Sequence, residues 1–175
     1  TKEALEKVKE FWTEKLQGVQ VDIPTKSMKL LLNGWLQYQL ISSRLWARSG
    51  FYQAGGAYGF RDQLQDSLAI AATWPEAARK QILLHGKHQY LEGDVQHWWH
   101  EPTNKGVRTR FSDDRLWLPY VTAEYIKITG DYTILKEEIP FLIEEKLMDF
   151  EDDRYGTPNV TEEKATLYEH CLRVI

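Results

Sequence analysis

Apolar positions recur at helical spacing along most of this chain. Over residues 3–16, Leu5, Val8, Phe11, Trp12 and Leu16 alternate with Lys and Glu in a pattern that predicts an amphipathic helix. Gly18 and Pro24 bracket an extended link, Val19-Gln20-Val21-Asp22-Ile23. A second helix is predicted from Lys26 to about Arg48. Its apolar residues, including Met28, Leu31, Leu32, Trp35, Leu36 and Leu45, cover much of its circumference, so it is expected to be largely buried. Gly50 closes it, and residues 51–60 form a Gly-rich aromatic loop. Helices are expected next over 62–73 and 75–91, the second with Pro75 in its first turn. Residues 92–112 contain Gly93, Pro102 and Gly106 and read as a long loop, a kind of segment that often carries function. Further helices are predicted over 113–129, stopping at Gly130, and over 132–138, capped by Asp131. Residues 144–160 read as irregular and acidic, and a last helix is expected from Glu162 or Glu163.

No alternating strand pattern stands out apart from short links, so the predicted fold class is all-α. The helices pair into helix–loop–helix units with long loops at alternate connections, as in a toroid of helical hairpins. Residues 1–24 read as a linker helix with an extended link, and 25–175 as part of the toroid. The first helix reads as a leader and the last stops within itself at Ile175, so the chain is expected to belong to something larger.

A chain of 175 residues can bury a real core. The net charge of −4 argues against a nucleic-acid partner, which calls for a basic patch. No apolar run reaches the roughly 20 residues that cross a bilayer, and the N-terminus lacks an apolar signal region. The single cysteine, Cys171, has no internal partner for a disulfide, which permits a reducing compartment. Aromatics are abundant, with seven Trp and nine Tyr. Their flat apolar faces and polar handles suit a pyranose ring, although they equally suit a helical core.

Three constellations carry candidate chemistry. In the first, Gly55, Gly56 and Gly59 precede Arg61, Asp62, Gln65 and Asp66. The glycines permit close backbone approach. Asp62 is a candidate N-cap, and Asp66 lies on the same helix face four residues on. Such a group suits charged hydrogen bonds to sugar hydroxyls; a capping Asp with an Arg–Asp salt bridge is the alternative. The second is Gln96-His97-Trp98-Trp99-His100, where adjacent indoles in a loop are expected to leave at least one ring exposed or covering a ligand. Its histidines lack a third ligand at metal-binding spacing, so no metal is expected. The third is Arg108-Thr109-Arg110-Phe111-Ser112-Asp113-Asp114, in which Ser112 or Asp113 is a natural N-cap. Arg108 and Arg110 there either neutralise the two acids or face an anion. No phosphate-binding loop, dinucleotide fingerprint, nucleophile elbow or zinc signature is present.

At these constellations the sequence resembles the inverting glycoside phosphorylases of the cellobiose and chitobiose phosphorylase type. The match lies in Gly59-Phe60-Arg61-Asp62, Gln65-Asp66 and Phe111-x-Asp113-Asp114-x-Leu116-Trp117-Leu118. The phosphorylase-like domains of cyclic β-1,2-glucan synthases are similar at Arg44-Leu45-Trp46-Ala47-Arg48-Ser49, Phe51-Tyr52-Gln53, Glu92 to His100 and Leu167-Tyr168-Glu169-His170-Cys171. The resemblance implies an (α/α)6 barrel preceded by a β-sandwich domain, with this chain forming the linker and roughly the first half of the barrel. It implies reversible phosphorolysis of β-glucosidic bonds with inversion, without a cofactor, using inorganic phosphate or glucose 1-phosphate as co-substrate. Hydrolysis or transglycosylation by another (α/α)6 enzyme, or non-catalytic glucan binding, are the alternatives.

The family's general acid lies in a Trp-Asn-Asp motif that this sequence lacks, so the acid is expected beyond Ile175 and no catalytic residue is assigned. The chain alone is expected to be inactive. The residues implied to hold the sugar are Arg61, Asp62, Gln65, Asp66, His97, Trp99, Asp113 and Asp114, with Arg48 a candidate for phosphate. The expected partners are a β-glucan oligosaccharide, the rest of the barrel and, through exposed apolar faces, a second copy. The implied location is cytoplasmic, within a parent that is open to inner-membrane anchoring.

Overall fold

A computed structural model describes residues 1–49 and 55–175. The expected Gly50 stop and the Phe51-Tyr52-Gln53 motif lie outside the described residues. Helix α1, Lys2–Leu16, starts at Thr1, whose hydroxyl accepts from the Ala4 amide. None of its residues is buried. Its second half is held by aromatics: Phe11 stacks on Trp46 at 5.7 Å, and Trp12 sits 4.8 Å from Tyr38 and 5.4 Å from Trp46.

The next helical stretch alternates α-helical turns, α2 (Lys26–Leu30) and α3 (Leu36–Gln39), with wider π-helical turns at Leu31–Trp35 and Leu40–Trp46. The backbone leaves helical geometry at Asn33 and Gly34. There the Asn33 amide accepts from the Val21 N–H (2.7 Å) and donates to the Val21 carbonyl (2.9 Å), so the break satisfies the link's own polar groups. The expectation of a largely buried helix fails for its first half: Leu30 is 71% and Leu36 51% exposed. Only the later part, through Ile41 and Leu45, enters the core.

Helices α4 (Phe60–Leu68), α5 (Pro75–Gly86) and α6 (Ser112–Thr129) pack on one another around Phe60, Leu64, Ile82, Leu118 and Val121. Helix α6 ends at Gly130 as expected, and Asp131 accepts from the Thr133 amide to cap a short 3-10 turn, Tyr132–Lys136.

The all-α fold class and its partial (α/α)6 barrel are overturned by two antiparallel sheets. Strands β1 (Tyr58–Gly59), β2 (Gln96–His100), β3 (Lys105–Thr109) and β5 (Asp153–Gly156) form one sheet in the order β1-β2-β3-β5. Strands β4 (Glu138–Ile143) and β6 (Asn159–Thr166) form the second. The predicted loop at 92–112 is therefore mostly a hairpin, and part of the irregular stretch at 144–160 is β5. The predicted helix start at Glu162 or Glu163 falls inside β6, and the last helix, α7, spans only Leu167–Arg173.

The physical reason is coverage of both faces. Trp99 points into the core while its neighbour Trp98 packs 5.5 Å from Tyr155 on the other face, so β2 shows no apolar–polar alternation. In β3, Gly106 lies under the backbone of β2, where a Cβ would come within 2.0 Å of the Trp98 carbonyl oxygen. Among the described residues, no helix is long and apolar enough to cross a membrane.

Candidate functional site

Strand β1 runs straight into α4, whose N-cap is Gly59 in extended geometry. The Gly59 N–H donates to the Gln63 side-chain oxygen. A Cβ at Gly59 would meet the Asp62 carboxylate at 2.3 Å, so glycine is required for Asp62 to fold back over the helix start. Asp62 is thus a first-turn residue and not the predicted cap. Its neighbour one turn on, Asp66, accepts from Arg44 Nε at 2.9 Å, and Arg44 Nη2 lies 3.9 Å from Asp62. Arg44 also donates to the Ser49 carbonyl (2.9 Å), so it is held from two sides. Burial raises the Asp66 pKa above the usual carboxylate range, and Arg44 works against that rise.

Helix α6 packs beside α4 and brings a second acidic turn. Its N-cap is Phe111, without a side-chain cap bond; neither Ser112 nor Asp113 caps it as predicted. Asp113 accepts from Arg61 Nη1 at 3.0 Å, a pair half-exposed on both sides and weak as a stabilising contact. Asp114 is buried and meets His97 Nδ1 at 2.5 Å. That bond raises the His97 pKa above its ordinary value, and Asp62 adds to the rise while Arg61 opposes it.

Helix α4, the start of α6 and strand β2 therefore bring together Arg61, Asp62, Asp66, His97, Asp113 and Asp114. Asp62, Asp113 and Asp114 sit in first helical turns, where the helix dipole favours negative charge, and carboxylate oxygens accept from hydroxyl donors. Arg61 and His97 supply donors in the same group. The arrangement places hydrogen-bond acceptors and donors side by side.

Three other predicted residues are placed differently. Trp99 is fully buried, stacked between His88 (3.7 Å) and Tyr58 (5.2 Å), and has no open face to offer a sugar. Arg48 lies over the Tyr58 ring and donates to the Gly56 carbonyl at 2.7 Å and to the Trp46 carbonyl at 3.1 Å, apart from the carboxylates. Gln65 is exposed on α4.

Arg108 and Arg110 take neither predicted role. Arg108 is 2% exposed, grips Asp94 with two bonds (2.7 and 2.8 Å) and Glu92 with one (3.0 Å), and stacks on Tyr90. Arg110 donates to the carbonyls of Glu151, Leu147 and Met148. The residue that sequence reasoning missed is Arg44. Its signal was a lone cation among Leu40, Ile41 and Leu45, a setting that requires a carboxylate partner.

Asp114→Asn is expected to bring the His97 pKa down from its raised value, as followed by NMR titration of the imidazole. An unchanged titration would separate the two groups. The pair stabilises the fold fully below about pH 6.5, the unfolded histidine value, and this contribution is lost as pH rises through the raised folded-state pKa.

Residues 11–175 match the glycosyl hydrolase 94 superfamily catalytic domain, and the chain belongs to that family. It is thereby a member of a glycosyl-transferring enzyme family whose relatives include phosphorylases. It is 46% identical to the cyclic beta-(1,2)-glucan synthase NdvB of Rhizobium meliloti over 98% of its own length and 6% of that protein. It is 33% identical to the solabiose phosphorylase of Paenibacillus borealis, over 75% of the chain and 16% of the relative. It is 26% identical to the N,N'-diacetylchitobiose phosphorylase of Vibrio furnissii, over 77% and 20%. The chain thus spans from 6% to 20% of the length of these relatives.

Proposed function

We propose that this chain forms the wall that holds the glycosyl unit in an enzyme breaking and making β-glucosidic bonds by phosphorolysis with inversion. The observation that carries this is the convergence of Arg61, Asp62 and Asp66 along α4 with Asp113 and the His97–Asp114 pair at the start of α6. The wall supplies acceptors and donors on rigid elements, which is what a pyranose rim requires.

An inverting hydrolase needs one carboxyl group as acid and a second as base for water. Phosphate arrives as an anionic nucleophile, so a phosphorylase needs only the acid. In this reading the carboxylates here bind hydroxyls, and the acid and further phosphate contacts come from other parts of the enzyme. Arg48 is the candidate in this chain for the phosphate side. Inorganic phosphate or glucose 1-phosphate is the co-substrate, and no cofactor takes part. The named activity of the Rhizobium meliloti relative supports β-1,2-glucan as the substrate. A cytoplasmic location follows from the same reading, since phosphate esters are cytoplasmic metabolites.

In the intact enzyme, Asp66→Asn is expected to lower phosphorolysis of β-1,2-oligoglucans by about ten- to a hundredfold, the worth of a charged hydrogen bond, with the fold unchanged by circular dichroism. Turnover near the unsubstituted rate would sink the role given to Asp66. Release of reducing sugar independent of phosphate would replace phosphorolysis with hydrolysis. The β-linked substrate is expected to yield α-glucose 1-phosphate, detected by NMR of the anomeric proton.

A further inference from the structure

Arg44 stands in the wide π-helical turn Leu40–Trp46, between Ile41 and Leu45, which anchor that turn in the core. Turns of this kind often mark functional positions. The guanidinium reaches helix α4 and directs its nitrogens to three groups. Nε donates to Asp66 Oδ2 at 2.9 Å, Nη1 donates to the Ser49 carbonyl at 2.9 Å, and Nη2 lies 3.9 Å from Asp62 Oδ1. The Ser49 amide in turn donates to the Ser43 carbonyl at 2.8 Å, so this anchor of Arg44 is itself fixed.

The Arg44–Asp66 bond is sheltered, with 30% of the arginine and 15% of the aspartate side chain exposed, unlike the open Arg61–Asp113 pair. It occupies one oxygen of Asp66. A carboxylate has about four lone-pair sites, so Oδ1 still has acceptor capacity for a hydroxyl. Burial disfavours the charged form of Asp66, the negative charge of Asp62 one turn away does so too, and Arg44 opposes both. Among the described residues, Arg44 and Asp62 are the charged groups that act on Asp66. On the neighbouring elements, His97 of β2 is paired with Asp114 of α6 and feels the Asp62 charge, Arg61 is paired with Asp113 of α6, and the neutral His85 of α5 packs on Phe60.

We propose that Arg44 is a positioning residue for the glycosyl-holding wall: its single guanidinium spans Asp62 and Asp66 and fixes the Asp66 carboxylate as a charged acceptor for a sugar hydroxyl. Arg44 acts through Asp66 and does not itself touch the sugar, because its three nitrogens are already directed at Asp66, Ser49 and Asp62. The inference rests on the proposed glycosyl-holding reading.

The test combines NMR titration of the Asp66 carboxyl carbon in this chain with the pH dependence of β-1,2-oligoglucan phosphorolysis by the intact enzyme. The variants are Arg44→Gln, Arg44→Lys, Asp66→Asn, and each Arg44 variant combined with Asp66→Asn. Arg44→Gln is expected to move the Asp66 titration to higher pH and to lower kcat/KM about tenfold, the worth of one charged hydrogen bond. The acid limb of the rate profile is expected to move upward with it. Arg44→Lys keeps the charge but cannot hold Asp66 and Ser49 together, so it is expected to cost only about threefold. Each double variant is expected to be no slower than Asp66→Asn alone, the non-additivity of a residue that acts through another. Double variants slower by the full factor of the Arg44 change would overturn the proposal and leave Arg44 a structural tie between the π-helical turn and α4. So would an Asp66 titration that ignores Arg44→Gln, or an Arg44→Lys variant as slow as Arg44→Gln. If Arg44→Gln does not fold, as judged by circular dichroism, the Arg44→Lys pair of variants decides on the same non-additivity. A titration that moves in an enzyme without phosphate-dependent turnover refutes the phosphorolysis reading and upholds the hold of Arg44 on Asp66. Phosphate-dependent turnover with an unmoved titration refutes the positioning role alone.

Discussion

Arg108→Ala is expected to destabilise the fold by about 3–5 kcal/mol, the usual cost of breaking a buried ion pair by removing one partner. Arg108 is 2% exposed and is the common partner of Glu92 and Asp94. It also donates to the carbonyls of Glu144 (3.3 Å) and Glu145 (3.4 Å), tying the segment before β5 to strand β3. Its loss leaves Asp94 without its cationic partner and Glu92 with only the exposed Lys146, 4.0 Å away. Arg108→Lys is expected to recover only part of the loss, because an ammonium cannot make the paired bonds to Asp94. Urea denaturation followed by far-ultraviolet circular dichroism measures this. A cost below about 1 kcal/mol, the range of an exposed pair, would show that the network is not structural.

The second large effect is loss of stability in mild acid. His85, His88 and His170 are buried, and burial is the main cause that lowers their pKa values to about 4, about 3 and about 4. The unfolded chain binds these protons near pH 6.5. The sign follows: the stabilising contribution of the three neutral rings is present above about pH 6.5 and is lost as pH falls through the folded-state values. Every tenfold loss of proton affinity on folding corresponds to about 1.4 kcal/mol, so the three rings together approach the 5–15 kcal/mol typical of a whole domain. His97 opposes this, since its bond to Asp114 strengthens on protonation, but it is one ring against three. The melting temperature is therefore expected to fall steeply between pH 6.5 and 4. His88→Gln, which keeps a neutral partner for Gln96, is expected to flatten part of that fall. A melting temperature constant over this range would contradict the assignment.

The sequence made some of this legible and hid the rest for physical reasons. The end of α6 at Gly130 and the Asp131 cap were readable because local chemistry decides them. So was the shared face of Asp62 and Asp66, because residues four apart on a helix are neighbours. The strands were hidden because their pairing is non-local. Strand β6 reads Asn-Val-Thr-Glu-Glu-Lys-Ala-Thr, a charged run with helix-forming residues, and it becomes a strand only by pairing with β4, with Ala165 opposite Ile139. A local signal did mark the true helix start there. Thr166 and Glu169 form a reciprocal capping box at α7, three residues past the predicted start. Trp99 was misjudged because indoles in a Gly- and Pro-bearing stretch look like a binding loop, whereas a hairpin turns every second side chain inward. The Arg61–Asp113 and His97–Asp114 pairs span 52 and 17 residues, so spacing alone cannot foresee them.

The direct passage from β1 into α4 has a further consequence. Tyr58 and Gly59 pair with Trp99 and Trp98, and the next residue, Phe60, is already helical and fully buried. The hairpin that carries His97 and the helix that carries Asp62 and Asp66 are thus welded at one joint, without a loop to act as a hinge. A ligand arriving at this wall meets groups whose relative positions were set during folding. It forfeits little conformational freedom in the protein on binding. Affinity for any such ligand is then expected to vary with the ligand's shape far more than with temperature-driven loosening of the protein.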